Sequence, residues 1–249
     1  MTALASYLHA HWHGGVWRVR VEDVDTSRCT QAMGEHQLAT LRNLGFEFDE
    51  HVVWQTENFA AYRAVFERLR AQHQVYPCTC TRSQRTQNPS AHHCALGIDE
   101  GATIRTWRFR ADHQVVTWVD ETGHSHTQTV DDFVVKRGAR SSDEWAYALA
   151  VVVDDAHQGI THVVRGEDIR ASTARQIALQ KALGYPTPQY NHVPLLCNAA
   201  GEKLSKSDQA PELDALNPVN ALRHAWQFLG GNDCECTDVA GFWQTVKML

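Results

Sequence analysis

Leu4, Tyr7, Leu8 and Trp12 recur at helical spacing, and Gly14-Gly15 supplies a stop. Val16 to Val21 then alternates, with Trp17, Val19 and Val21 on one face and Arg18 and Arg20 on the other, the two-residue period of a strand. That strand runs into Glu22-Asp23-Val24-Asp25-Thr26-Ser27-Arg28, and in open α/β sheets ligands bind at the C-terminal ends of strands. A second helix is predicted over Gln31–Leu44, with Gly45 as its cap. A third carries Phe59, Tyr62, Phe66 and Leu69 on one stripe, which reads as core packing.

From Tyr76 to Asp143 the texture changes to short β-type runs, Thr103–Phe109, Val115–Val119 and Thr127–Val135, separated by polar turns. Helical pattern returns at Glu144–His157. Gly159 introduces a strand, Ile160–Val164, ending in Arg165-Gly166-Glu167-Asp168. Ser172 or Thr173 can cap the next helix, which runs to Leu183 and stops at Gly184. Tyr190–Cys197 reads as a further strand leading into Gly201-Glu202-Lys203-Leu204-Ser205-Lys206-Ser207, and Asn217-Pro218 opens a last clear helix. Strands alternating with helices on both sides of a β-rich insertion make this an α/β chain.

A chain of 249 residues can bury a large core, as one domain or two. No run approaches about 18 consecutive apolar residues, and no basic stretch followed by an apolar one opens the chain. A membrane span and an export signal are therefore not expected, and a cytoplasmic protein is. The net charge of -6 argues against binding nucleic acid by bulk charge but leaves room for a local basic face. Seven unevenly spaced cysteines in a reduced compartment favour a metal site over a disulfide framework.

Four constellations carry candidate chemistry. Lys203 and Lys206 place two ammonium groups three residues apart beside serine hydroxyls, suited to gripping a triphosphate and stabilising departing pyrophosphate; a solvated surface loop has the same composition. In the loop from Arg20 to Arg28, three carboxylates within four residues repel one another unless cations face them, so the loop either recognises an amino group or is paired within itself. Tyr147 can reach a pocket or be simple core, and Arg165, at a strand end, can bind a carboxylate or pair with Glu167 or Asp168. Cys78, Cys80 and Cys94 can bind zinc, with His92 or His93 available as a fourth ligand, or can be three free thiols. Such a zinc would be structural.

Taken together, these residues resemble a known family. Gly14-Gly15-x2-Arg18-x-Arg20-x-Glu22-Asp23-x-Asp25-x2-Arg28 resembles the glutamyl-tRNA synthetase signature, as do the segment from Val152 to Asp168 and the run Tyr190-Asn191-His192-Val193-Pro194-Leu195. Lys203-Leu204-Ser205-Lys206-Ser207 is similar to the KMSKS-type loop of class I aminoacyl-tRNA synthetases, with Leu204 at the Met position. Only residues 208–249 follow, too few for a helical anticodon-binding region, and with the Cys-x-Cys…Cys insertion this looks like the glutamyl-queuosine tRNA(Asp) synthetase family. The resemblance implies a Rossmann-type class I catalytic core with an inserted zinc-bearing α+β subdomain. Residues 1–75 and 144–211 would form the two Rossmann halves, 76–143 the insertion and 212–249 a helical stub. It implies ATP-dependent activation of L-glutamate and its transfer to queuosine in the anticodon of tRNA(Asp), by a monomer. Glu22, Tyr147 and Arg165 would contact glutamate, Lys203 and Lys206 would bind ATP with Lys206 catalytic, Mg2+ would share the phosphate charge, and Cys78, Cys80 and Cys94 would bind Zn2+.

Two departures shape further expectations. The family's zinc motif has a tyrosine four residues before its last cysteine, where this chain has Ser90, so Ser90, His92 and His93 all stand as candidates for the fourth ligand. The family also opens with an Arg-Phe-Ala-Pro-Ser-Pro…His-x-Gly segment that would precede Met1; the chain as written is expected to lack half its ATP site and a core strand, and to be poorly stable and inactive in adenylation. The alternatives are a truncated or discriminating glutamyl-tRNA(Glu) synthetase, a non-catalytic nucleotide- or RNA-binding remnant, and a zinc-dependent interaction module.

Overall fold

The structure is a computed structural model that describes residues 1–81, 83–84, 94–140, 142–197 and 217–247. Helix α1 (Thr2–Trp12) leads to strand β1 (Arg20–Val21), helix α2 (Gln31–Asn43) and strand β2 (Val53–Trp54). β1 and β2 are parallel, Arg20 beside Val53 and Val21 beside Trp54. The alternation over 16–21 therefore overstates the paired strand, which is confined to the two residues facing β2. Thr30 caps α2, its hydroxyl accepting from the Met33 amide at 3.3 Å. Gly34, midway along α2, lets the helix lie close on the strands: a β-carbon there would stand 2.6 Å from the Trp54 ring and 2.8 Å from Val21.

A 3-10 turn (Gln55–Asn58) opens helix α3 (Phe59–Ala71), which delivers strand β3 (Val75–Cys78). Beyond a short turn at Cys94–Leu96 come β4 (Thr106–Phe109), β5 (Gln114–Val119), β6 (Ser125–Val130) and β7 (Phe133–Arg137). β3, β4 and β7 form one antiparallel sheet, and β5 and β6 a separate hairpin. The single run expected over Thr127–Val135 is thus two strands. Asp131-Asp132 breaks it, the Asp132 carboxylate accepting from the amides of Ala111 at 2.7 Å and Asp112 at 3.2 Å and from the Tyr76 hydroxyl at 2.7 Å.

Helix α4 (Tyr147–His157) then leads to β8 (His162–Gly166), a 3-10 turn (Glu167–Ser172), helix α5 (Thr173–Leu183) and β9 (Gln189–Val193). β8 and β9 are parallel, in register from His162 beside Gln189 to Gly166 beside Val193. Ser172 takes the N-cap position of α5 without a side-chain cap bond, and the Thr173 hydroxyl is engaged elsewhere. Helices α6 (Pro218–Phe228), capped by Asn217 and Pro218 as expected, and α7 (Val239–Lys247) close the described chain.

Two cores result. The larger joins α3, α4 and α5 to the β3–β4–β7 sheet, so the antiparallel strands share their interior with the α/β elements; Phe66 meets Trp107 edge-on at 5.2 Å. The smaller packs α1 against α6, α7, Trp17 and Phe46. Tyr7 is its centre, with the rings of Trp17, Phe46 and Trp243 at 5.1, 5.3 and 4.9 Å. Gly45 is required here: it sits at φ +77°, and a β-carbon would be 2.6 Å from the Trp243 indole nitrogen. Trp12, expected on the buried stripe of α1, is 49% exposed, reaching only the edge of Trp226. Among the described residues no helix is long and apolar enough to cross a membrane.

Candidate active site

The two parallel strand pairs face one another across a cleft of about 580 Å³, whose walls include Arg18, Arg20 and Glu22 on one side, Ile160 to Val164 on the other, and Asp155 and Gln158 from the α4 end. Arg20 organises its floor. One guanidinium nitrogen donates to Asp155 at 2.9 Å and to Gln158 at 2.8 Å, another lies 3.6 Å from Glu22, and Nε lies 3.8 Å from Asp154.

Asp154 is fully buried and stands because donors surround it. Gln55 and Asn58 donate to it at 2.9 Å, and the Tyr62 hydroxyl reaches it at 2.7 Å. Burial pushes the Asp155 carboxyl up against the pull of Arg20. Burial also pushes the Glu22 carboxyl up, again opposed by Arg20. Tyr62 is held well above the ordinary phenol range by burial and by the carboxylate it binds.

The charged loop after β1 divides in two. Asp23 accepts from the Thr56 amide at 3.0 Å and hydroxyl at 2.7 Å, and Asp25 binds Ser27, Arg28 and Arg137. These carboxylates are paired within the protein. Glu22, with about 45% of its side chain exposed and lining the cleft, is the one turned toward a ligand-sized space.

Arg165, at the end of β8, is 7% exposed. Gln176 and Thr173 accept from its two terminal nitrogens at 2.7 and 2.8 Å, its Nε points to His192 at 3.4 Å, and its guanidinium lies 5.1 Å from the Tyr190 ring centre. The hydrogen-bonding partners are neutral. His192 in particular is pushed down from 6.5 to about 4, by burial first and then by repulsion from Arg165 and Arg170. Glu167, a neighbour in sequence with which Arg165 could have paired, bonds Arg170 at 3.0 Å instead.

Tyr147 begins α4, half-buried. Burial raises its hydroxyl, Glu22 and Asp155 push the same way, and Arg165 and Arg20 oppose them. One phenol thus feels Glu22, Arg165, Asp155 and Arg20 together. Tyr147 and Arg165 are not part of the 580 Å³ cleft wall that Glu22 lines. Lys203 and Lys206 lie outside the described residues.

Cys78, Cys80 and Cys94 come together, one sulfur of each within 4.8 Å of the others, and Cys80 Sγ lies 3.6 Å from Cys94 Sγ. Burial and the neighbouring thiols push Cys80 up to about 11. Thr79 helps hold Cys94 below its ordinary value in spite of burial. The donor set suits a thiophilic ion. Ser90, His92 and His93 lie outside the described residues.

The segment Asp154-Asp155 could be named from the sequence, but not the residues that hold it or the arginines: Gln55, Asn58 and Tyr62 around Asp154, Gln158 on Arg20, and Thr173, Gln176 and His192 around Arg165. One signal was available. Gln176 and Gln180 are each 2% exposed on α5 among Ile177, Ala178 and Leu179, and amides in such company need polar partners.

Parallel strand–helix–strand units with a cleft between them are the architecture of the α/β class whose ligands bind beyond the C-terminal ends of the strands. The chain belongs to the class I tRNA synthetase (E and Q) catalytic-domain family, whose profile matches residues 1–95 and 97–219. It is 45% identical to a glutamyl-Q tRNA(Asp) synthetase of Aromatoleum aromaticum, over 99% of this chain and 81% of that one. It is 46% identical to the protein of that name from Burkholderia cenocepacia, over 92% and 81%, and 42% identical to that of Cupriavidus metallidurans, over 96% and 82%. Among solved structures it resembles a glutamate tRNA ligase from Elizabethkingia meningosepticum crystallised with its amino acid, with a TM-score of 0.71 at 23% identity, over 83% of this chain and 48% of that one, a likeness of fold.

Proposed function

We propose, against the expectation above that the chain as written is inactive in adenylation, that this protein activates L-glutamate with ATP and transfers the glutamyl group to queuosine in tRNA(Asp). Family membership and near-full-length similarity to glutamyl-Q tRNA(Asp) synthetases support the reaction class. The observation that carries the substrate is Arg165. A buried guanidinium held by neutral side chains keeps its positive charge available, and a carboxylate is the partner that its planar fork suits. Glu22 and Tyr147, electrostatically linked to that site, complete a zwitterion's needs: a carboxylate for the amino group and a hydroxyl to orient the acid.

The glutamate α-carboxylate oxygen attacks the α-phosphorus of ATP, the bond to the bridging oxygen breaks, and pyrophosphate leaves. A queuosine hydroxyl then attacks the acyl carbon, AMP departs, and the hydroxyl proton passes to phosphate or solvent. No covalent enzyme intermediate is needed, so positioning and electrostatics supply the catalysis. Lys203 and Lys206 would neutralise charge building on pyrophosphate, with Lys206 the catalytic group. Mg2+ bound to the triphosphate would add to that neutralisation. Zinc held by Cys78, Cys80 and Cys94 would fasten the end of β3 to the turn at Cys94.

The test is glutamate-dependent ATP–pyrophosphate exchange, followed by transfer of labelled glutamate to tRNA(Asp) with its 3′ end blocked by removal of the terminal adenosine. Label retained on blocked, queuosine-containing tRNA and absent from tRNA lacking queuosine is expected. Label found only at an intact 3′ end of tRNA(Glu) would overturn the reading in favour of terminal charging. Nucleotide binding without exchange would overturn it in favour of a non-catalytic protein. Lys206→Ala should abolish exchange without changing the far-ultraviolet dichroism.

A further inference from the structure

We infer that His9, His13, Glu121 and His162 form a binding site for one first-row divalent ion, of which zinc is the physiological candidate. The site shares no residue with the cysteine cluster or with the proposed glutamate contacts. His9 and His13 are one turn apart, four residues in sequence, and so face the same side at the end of α1. Glu121 comes from the turn between β5 and β6. Ligand atoms of these three lie within 4.8 Å of one another.

The carboxylate is already aimed. The Glu121 amide donates to the Tyr190 carbonyl at 3.0 Å, and its Oε2 accepts from Asn191 at 2.9 Å, so the hairpin tip is tied to β9. The other oxygen, Oε1, meets His9 Nε2 at 2.6 Å. Outer partners that fix a ligand's orientation are what metal sites use. His13 has such a partner too: its Nδ1 lies 2.8 Å from the His9 carbonyl oxygen. A carbonyl only accepts, so Nδ1 carries the proton and Nε2 keeps the lone pair. His162, at the start of β8, lies outside the three atoms within 4.8 Å of one another but beside them, and a turn of its side chain would bring it in as the fourth ligand. Its ring centre is 5.4 Å from that of His9, and Thr161 engages its Nδ1 at 2.9 Å, leaving Nε2 for coordination.

Three imidazoles and one carboxylate suit zinc, cobalt, nickel or copper, whereas magnesium and calcium want oxygen throughout. Four ligands would close a tetrahedral site, so the ion would be a staple. It would fasten α1, the β5–β6 hairpin and β8, which are far apart in sequence, at the rim of the cleft that His9, His13 and His162 line.

Cobalt(II) titration of the reduced chain tests this, because nitrogen–oxygen and thiolate sites absorb differently. A visible ligand-field spectrum from a nitrogen–oxygen site is expected, separate from any near-ultraviolet thiolate charge-transfer band. His13→Ala and His162→Gln, both at exposed positions, should each weaken that component about tenfold or more and leave any thiolate band untouched. Absence of the nitrogen–oxygen component in the wild-type chain, or its persistence at full affinity in both variants, would overturn the inference.

Discussion

Arg20 and Arg165 occupy matching places, each on the leading strand of a parallel pair, and are held in opposite ways. Carboxylates surround Arg20: Asp155 at 2.9 Å, Glu22 at 3.6 Å and Asp154 at 3.8 Å. Arg165 rests on an amide, a hydroxyl and a neutral imidazole. The first charge is matched inside the protein and braces the floor of the cleft. The second is left electrically open, the condition for holding an acidic ligand. On the proposed function, two residues of one type thus divide structure from recognition by the charge of their neighbours.

Substitutions can break or sharpen this contrast. The largest effect is expected from Arg20→Gln, which strands Asp154 and Asp155 and should cost about 3–5 kcal/mol of unfolding free energy by denaturant titration. Arg165→Gln strands no carboxylate among these partners, so stability should move by less than about 1 kcal/mol, while kcat/KM for glutamate in pyrophosphate exchange falls about 100-fold, or about 2.7 kcal/mol. Comparable stability losses for the two variants would refute the division. Tyr62→Phe keeps the ring but removes a hydrogen bond to buried Asp154, and should cost about 2 kcal/mol.

The smallest effect is a pH dependence. His192 is lowered from 6.5 to about 4 in the folded chain. Above 6.5 it is neutral folded or unfolded. Between 6.5 and about 4 the unfolded chain takes up a proton that the folded chain refuses, so stability falls as pH drops. His192→Asn should flatten the stability curve in that window relative to wild type; an unchanged slope would show that His192 is protonated beside Arg165.

Much of this contrast could not be read along the chain. Periodicity marked α3, whose buried Tyr62, Phe66 and Leu69 form one stripe, while cap and stop residues placed α5, which is buried on most sides. Periodicity did not reveal β2, since two residues carry no period, nor that strand 16–21 pairs only at Arg20 and Val21. The residues Glu22, Tyr147 and Arg165 could be named from motifs. What distinguishes Arg165 from Arg20 could not, because Asp154 and Asp155 meet Arg20 across more than 130 residues of chain, while Glu167, two residues after Arg165, turns to Arg170. Sequence neighbours suggest ion pairs, and tertiary structure decides which of them form.

Gly34 gives the common advice on helix stabilisation the wrong sign at one position. In an exposed helix, exchanging glycine for alanine gains roughly 0.5–1 kcal/mol. Here the added methyl would wedge against Trp54 and Val21, levering α2 off the strand pair and tilting the segment from which Arg20 and Glu22 project. The missing side chain at position 34 acts as a spacer of zero thickness, setting how near a helix can come to the strand that carries the charges.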